Sequence, residues 1–448
     1  MYKLSQFNHQ IELSESGNHF LYNFDTQHAT ELNVLQALAL EQGTFENLNS
    51  PFLQKLYDDG FLVEDSCNEY DAVCEGIRQN KANSEIFKLS IFTSMKCNFS
   101  CEYCFEMGHM KDMDMSVDTQ DKVIEFARKR LEERNISQLQ VTWFGGEPLM
   151  NPEAIRRISK QLISMAEEKG ILYDAVIYTN GYLLTEENIR MLEECHVNGI
   201  RISIDGCEQA HDAMRHTKNG NGTYKVILEN LKIPTTIQYR LRCNMTHNNI
   251  ESYPLLVQEL KEIAELSGNR ITCIPERMRV ERDVNPQLKE IELSYQDYYK
   301  VYRHLKCHSM DNINVDLRDL SRRKIASCAA CMPDTFSVDV QGNLYRCSFY
   351  VGDEEYMIGN VADYTGQDSL RKTEIVEYFD NFMASDLEKC KACPILPICL
   401  GRCPLYYRVH KEGSDCHRMI NSLDEVVLEV YKEIYLPLRK EKNESISD

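Results

Sequence analysis

The chain has 448 residues, 43% hydrophobic and 27% charged, a globular composition too long for one ordinary core. Its formal net charge of −20 excludes a grip on nucleic acid or anionic lipid through bulk electrostatics. No apolar run reaches the ~18 residues of a membrane helix, and the opening MYKLSQFNHQIELSESG holds no apolar signal segment, so the expected location is the cytoplasm. Disulfides rarely persist there, so the eighteen cysteines read as metal ligands or plain thiols.

Within residues 1–85, IELSES and HFLYNF read as short strands flanking a turn at Gly17. ELNVLQALALEQG, from Glu31, reads as a helix closing on Gly43, with Leu32, Leu35, Leu38 and Leu40 as apolar positions. SPFLQKLYDDGFLVED then predicts a second helix, a turn at Gly60 and a strand. Strands followed by two helices and a wing make a small winged-helix-like unit, and the polar segment Arg78–Ser84 reads as a linker. Over 86–310 the pattern alternates regularly. Strand-like runs occur at FKLSIF, LQVTWF, AVIYTN, GIRISI, IQYRLRC and NRITCI, with helical patterns such as DKVIEFARKRLEER, PEAIRRISKQLISMAEE and EENIRMLEECH between them. Six such alternations predict a parallel sheet with helices outside, either an open α/β sheet or a partial barrel. Folds of this kind place chemistry at the carboxyl ends of the strands. The polar or glycine-rich turns CNFSC, FGGEP, TNG, SIDG and RCN all fall there. Over 311–448 cysteine, glycine and proline take over, which predicts a small region held by metal clusters rather than by a large apolar core. NSLDEVVLEVYKEIYLPLRKEKNESISD ends the chain as an amphipathic helix and a solvated tail.

Eleven of the eighteen cysteines fall in two groups. One is Cys97, Cys101 and Cys104, on the turn after the first regular strand. The other is Cys328, Cys331, Cys347, Cys390, Cys393, Cys399, Cys403 and Cys416. Cys67, Cys74, Cys195, Cys207, Cys243, Cys273 and Cys307 are scattered singly and read as small buried hydrophobes. Three thiolates can hold three irons of a 4Fe–4S cluster and leave the fourth without a protein ligand, an open position like that of a catalytic metal site. A zinc knuckle completed by His109 is the alternative that spacing leaves open.

CNFSCEYC resembles the CxxxCxxC signature of radical S-adenosylmethionine (SAM) enzymes, including the aromatic residue before the last cysteine. FGGEP, Phe144–Pro148, resembles that family's Gly-Gly-Glu-Pro motif and ends the next strand. The resemblance implies a partial (β/α)6 barrel core. It also implies a cluster on Cys97, Cys101 and Cys104 whose open iron is chelated by the amino and carboxylate groups of SAM. Tyr103 would approach the adenine, and Gly145, Gly146 and Glu147 would receive the methionine amino group. Ser203 in ISIDG and Arg215 in HDAMRH would contact ribose and carboxylate, a task that suits the guanidinium fork. Asp205 and Asn244 are further candidates at strand ends. The second cysteine group resembles the SPASM extension of the same superfamily, with Gly342 to Cys347 and then CxxCx5CxxxC and a final Cys. By that resemblance Cys390, Cys393, Cys399 and Cys416 would hold one auxiliary 4Fe–4S cluster. Cys347 and Cys403, with Cys328, Cys331 or both, would hold another, making three clusters in all.

Enzymes of this kind mostly modify peptides. The resemblance implies reductive cleavage of SAM to a 5′-deoxyadenosyl radical and an electron donor such as ferredoxin or flavodoxin. It also implies a precursor peptide whose leader adds a strand to a sheet edge of the N-terminal unit. The expected product is a thioether or another side-chain cross-link in a ribosomally made peptide. Anaerobic sulfatase-maturating enzymes share both cysteine regions. In them an Asp acting as a base follows the cysteine that matches Cys347, whereas this chain has Ser348 and 85 further N-terminal residues. A non-catalytic iron–sulfur electron carrier or sensor is the reading from another class. It leaves the strand-end residues without a role.

Overall fold

The computed structural model describes residues 2–104, 106, 112–278, 286–306, 326–371, 373–382, 388–401, 403–405, 408, 416 and 418–439. His109, Cys307 and the tail beyond residue 439 lie outside them. The chain divides into two compact units. One comprises Met1–Asn83, Ile313–Cys331 and Asn381–Asp448, the other Ser84–Asn312 and Met332–Asp380.

In the first unit, β2 (Asn8–Glu12), β3 (His19–Asn23) and β4 (Ala29–Leu32) form an antiparallel sheet, while β1 (Tyr2–Leu4) pairs with β5 (Leu62–Glu64). Gly17, Gly43 and Gly60 make the expected turns, all at positive φ. The helix expected from Glu31 begins only at Val34. Glu31 and Leu32 pair with β3, and Asn33 then caps the helix by exchanging hydrogen bonds with Gln36. The segment read as a linker is helical to Ala82, in a helix that starts at Glu69 and buries Val73, Cys74 and Ile77. An apolar cluster joins Phe20, Tyr22 and Phe24 to Ile395, Ile398, Met419, Val426 and Val427. The cysteine-rich end is therefore built on an apolar core as well as on thiols. Its amphipathic helix, Leu423–Val430, continues through a π turn at Tyr431–Tyr435.

The second unit is one sheet. β6 (Ile86–Ser94), β7 (Gln138–Gly145), β8 (Leu172–Thr179), β9 (Val197–Ser203), β10 (Gln238–Met245) and β11 (Ile271–Arg277) are parallel and stand in sequence order. Helices Val117–Glu133, Pro152–Lys169, Glu186–Glu194 and Tyr253–Ser267 lie among the crossovers. In β7 the residues alternate strictly. Leu139, Val141 and Trp143 are buried, while Gln138, Gln140, Thr142 and Phe144 are only half-buried. A parallel strand covered by helices on both faces would be buried throughout. Strict alternation in a central strand means that only one face is covered, as in a barrel. Beyond β6 the sheet continues through β12 (Thr335–Val338), parallel to β6, then antiparallel β13 (Asn343–Tyr345) and β14 (Met357–Asn360). This extension is tied down by Asp334, buried against Arg130 of the first crossover helix, whose guanidinium also reaches Tyr364 Oη at 2.9 Å and Gln367 Oε1 at 2.6 Å.

Candidate functional site

The carboxyl ends of β6 to β10 carry most of the polar residues singled out in the sequence. β7 leaves the sheet through Gly145, at φ +149°, and Gly146. Gly146 N–H donates to Ser94 O at 3.0 Å and Glu147 N–H to Lys96 O at 2.7 Å, so the GGEP turn is stitched to the start of the cysteine loop. A Cβ on Gly146 would stand 2.5 Å from Lys96 O, which is why the approach requires glycine. Glu147 is fully buried. Its carboxylate accepts from Thr179 Oγ1 and Asn180 N–H at 2.7 Å each and from Leu149 N–H at 3.0 Å. Burial pushes its pKa up to about 7, against the pull of those three donors and of Arg215. A carboxylate has about four acceptor positions, so room remains for one incoming donor. Asn180 continues the chain of contacts, donating to Asn98 Oδ1 at 2.7 Å inside the cysteine loop.

A second network crosses the strand ends. Tyr103 Oη donates to Asp205 Oδ2 at 2.5 Å and accepts from Arg215 Nη1 at 2.7 Å and Asn244 Nδ2 at 2.9 Å. Asn244 closes the ring through its backbone N–H and its amide, at 3.2 and 3.0 Å from Asp205 Oδ1. Asp205 and Asn244 thus orient the two residues expected at adenine and carboxylate. Ser203 ends β9 two residues before Asp205, in register with Arg242 of β10. Buried Arg215 Nε has no hydrogen-bond partner among the described residues, and its guanidinium lies over the rings of Phe99 and Tyr103 at 6.0 and 5.8 Å. His211 and Thr223, which the sequence reading missed, brace this network from beneath. His211 Nδ1 accepts from Asp205 N–H at 3.2 Å, and Thr223 Oγ1 lies 3.0 Å from His211 Nε2 and donates to Arg215 O at 2.6 Å.

The thiols of Cys97, Cys101 and Cys104 are close enough to raise one another's pKa, but burial is the larger cause, pushing Cys97 up to about 12 and Cys104 to about 11. Phe99 N–H donates to Cys97 Sγ at 3.4 Å, and Glu106 N–H bonds Cys104 in the same i+2 manner. Buried thiols that raise one another's pKa and already accept backbone N–H groups suit a cation that replaces their protons. Among the described residues no three His, Cys, Asp or Glu side chains converge as ligands of one ion. A 4Fe–4S cluster asks for something different, one thiolate on each of several irons. The donor set therefore fits that group.

In the other unit, Cys390 feels Cys399, Cys393 and Cys416, and burial pushes it up to about 12. Cys416 is thus near the CxxC run despite its distance in sequence. Cys328 and Cys331 share one 3-10 turn and Cys403 is half-buried, whereas Cys347 follows β13 in the unit of the large sheet. Of the scattered cysteines, Cys74, Cys195, Cys243 and Cys273 are buried as expected. Cys67 and Cys207 are partly exposed because both sit in turns.

A sequence profile of the radical SAM superfamily matches residues 91–234, the span from β6 to the end of the helix before β10. The chain is a radical SAM enzyme. It is 26% identical over 197 residues to the radical SAM cyclopropyl synthase TigE of Paramaledivibacter caminithermalis, covering 40% of each chain. To the cysteine-type anaerobic sulfatase-maturating enzyme of Clostridium perfringens it is 24% identical over 338 residues, 72% of this chain and 89% of that one. A solved structure of native anSMEcpe with bound AdoMet and the Kp18Cys peptide superposes at TM-score 0.57 and 19% identity, over 79% of this chain and 99% of that one. That superposition establishes the radical SAM fold for the sheet described above. Radical SAM enzymes cleave SAM reductively, and no helix among the described residues is long and apolar enough to cross a membrane.

Proposed function

We propose that this radical SAM enzyme is a peptide maturase that installs a thioether or another side-chain cross-link on a ribosomally made precursor. Bound SAM and its cluster supply the radical that takes a hydrogen atom from carbon. Cys97, Cys101 and Cys104 hold that cluster. Tyr103, Gly145, Gly146, Glu147, Ser203 and Arg215 position SAM, with Asp205 and Asn244 orienting Tyr103 and Arg215. Joining carbon to a cysteine sulfur removes one hydrogen atom from carbon, one proton from sulfur and one electron. Cys328, Cys331, Cys347, Cys390, Cys393, Cys399, Cys403 and Cys416 would hold two auxiliary clusters that would supply an acceptor for that electron, and a ferredoxin- or flavodoxin-type donor would supply the one that starts the reaction. Residues 1–85 bind the leader, 86–310 carry the radical chemistry and 311–448 the auxiliary clusters.

The observation that carries this reading is the sheet β2–β3–β4, whose edges are suited to an added peptide strand, in a chain whose solved relative is bound to a peptide. Sulfatase maturation is the second reading, supported by the relative from Clostridium perfringens. Against it stands Ser348, the residue after Cys347, whose hydroxyl lies 2.8 Å from Ser337 Oγ. A serine hydroxyl bonded to another serine is no replacement for a carboxylate base. The deciding experiment incubates the reconstituted enzyme, SAM and a reductant with the short peptides encoded beside its gene, and with a sulfatase-derived Cys peptide. Loss of two hydrogens from a precursor with retention of its sulfur supports the maturase, and formylglycine in the sulfatase peptide supports the second reading. The Cys97→Ala, Cys101→Ala, Cys104→Ala triple variant should make no 5′-deoxyadenosine, and continued production refutes the cluster assignment.

A further inference from the structure

The cysteine loop meets two side-chain amides that lie outside the SAM contacts proposed above. Asn180 follows β8 in the turn TNG and is buried, 6% exposed. The contacts around its carboxamide fix which end faces which way. Tyr182 N–H donates to Asn180 Oδ1 at 3.0 Å, so Nδ2 is the end turned to the cysteine loop. One Nδ2 hydrogen goes to Asn98 Oδ1 at 2.7 Å, and Nδ2 also stands 3.9 Å from Cys97 Sγ, a length suited to a sulfur acceptor for the second hydrogen. The backbone N–H of Asn180 donates to Glu147 Oε2 at 2.7 Å, which anchors the amide from the other side.

Asn98 is oriented by the same contact. Its Oδ1 accepts from Asn180, so its Nδ2 is the end left over, and that nitrogen is buried with no hydrogen-bond partner among the described residues. An unpaired buried donor costs stability, and this one sits in the loop that carries Cys97, Cys101 and Cys104. The group that this loop fits, a 4Fe–4S cluster, brings electron-rich sulfides into it. The three thiols are also served unequally. Cys97 Sγ has Phe99 N–H at 3.4 Å as well as Asn180 Nδ2, Cys104 has the N–H of Glu106, and Cys101 feels the charge of Arg215.

An added electron puts negative charge on the sulfurs of such a cluster, so donors aimed at sulfur stabilise the reduced form more than the oxidised one. The buried carboxylate of Glu147 acts the other way, because it opposes negative charge on Cys97. We propose that Asn180 and Asn98 are a pair of tuning residues that raise the reduction potential of the cluster on Cys97, Cys101 and Cys104, Asn180 by donating to the Cys97 thiolate and Asn98 by donating to a cluster sulfide. This inference rests on the assignment of the cluster to those three cysteines. It goes beyond that assignment to how readily the site takes the electron that starts SAM cleavage.

The test is a redox titration of reconstituted full-length protein followed by electron paramagnetic resonance, in which the signal that changes on adding SAM identifies the cluster with the open iron. Asn180→Leu and Asn98→Leu keep the size of the side chain and remove its donor. Each should lower the ratio of reduced to oxidised cluster at a fixed potential by about threefold to tenfold, a midpoint about 30–60 mV more negative for one electron. Asn180→Asp keeps an acceptor for Tyr182 N–H but sets a carboxylate beside Cys97, and should lower the midpoint further. A wild-type measurement stands beside the variants, should a substituted protein fail to take up its clusters. With the side-chain nitrogen of asparagine labelled by its heavy isotope, pulsed resonance of the reduced, SAM-sensitive cluster should show a coupling to that nitrogen. Midpoints unchanged or raised in both Leu variants, or no such coupling in the wild type, overturns the proposal. The cluster assignment falls separately, by a SAM-sensitive signal that persists in the Cys97→Ala, Cys101→Ala, Cys104→Ala triple variant.

Discussion

His211 gives the sharpest quantitative consequence of the site. Thr223 Oγ1 spends its hydrogen on Arg215 O, so it accepts from His211, whose Nε2 must carry the proton. Nδ1 is then bare and accepts Asp205 N–H. A second proton would face that N–H donor to donor, and burial with the nearby Arg215 charge lowers the pKa to about 3. The unfolded chain titrates at about 6.5. Below that value the unfolded state binds a proton that the folded state refuses, so stability falls as pH drops and the loss levels off only near pH 3. At about 1.4 kcal/mol per unit, the fold should lose about 2 kcal/mol between pH 7 and pH 5 from this residue alone. Urea unfolding followed by circular dichroism at both pH values, for wild type and His211→Gln, isolates the contribution. The wild-type advantage should shrink by about 2 kcal/mol at pH 5, and parallel pH dependence in the two proteins refutes the assigned tautomer.

Three other outcomes follow from single contacts. Cys416→Ala should remove the irons of one auxiliary cluster while leaving SAM cleavage without substrate, because Cys416 stands with Cys390, Cys393 and Cys399; iron content and 5′-deoxyadenosine assays check it. Gly146→Ala should destabilise by roughly 1–3 kcal/mol through overpacking against Lys96 O and weaken SAM binding, read by equilibrium dialysis. Asp334→Ala takes from the buried Arg130 guanidinium the more buried of its two acidic partners and leaves it Glu133 at 3.3 Å, at an expected cost of about 3 kcal/mol in thermal or urea unfolding.

What could be read in the sequence was local. CNFSCEYC and FGGEP carry their meaning in spacing within one turn, and the period-2 alternation of LQVTWF matches the alternating burial of β7. What could not be read depends on distant partners. Tyr103 meets Asp205 across 102 residues and Asn244 across 141, so the ring they form has no signature in any window. β12 to β14 are strands of three or four residues that exist by pairing with β6 and with one another, too short to show a period. Leu32 reads as helical because it falls in a leucine series, but pairing with His19 outweighs that local preference until Asn33 caps the helix. The helix Glu69–Ala82 reads partly as linker because its exposed face is almost wholly polar, and only Val73, Cys74 and Ile77 mark its buried side.

The one-sided cover of the sheet connects the fold to the chemistry. On the helix side of β10, Tyr239, Leu241 and Cys243 are buried by the core, and stability alone accounts for them. On the other side stand Gln238, Arg240 and Arg242, which no packing demand selects. At the carboxyl ends the constraint is of a third kind. Gly146 is set by a backbone approach and Glu147 by three donors, so both answer to geometry rather than to burial or charge. Substitutions should separate along the same lines. Changes on the helix side should act on melting temperature, and changes at the strand ends on SAM cleavage even without peptide.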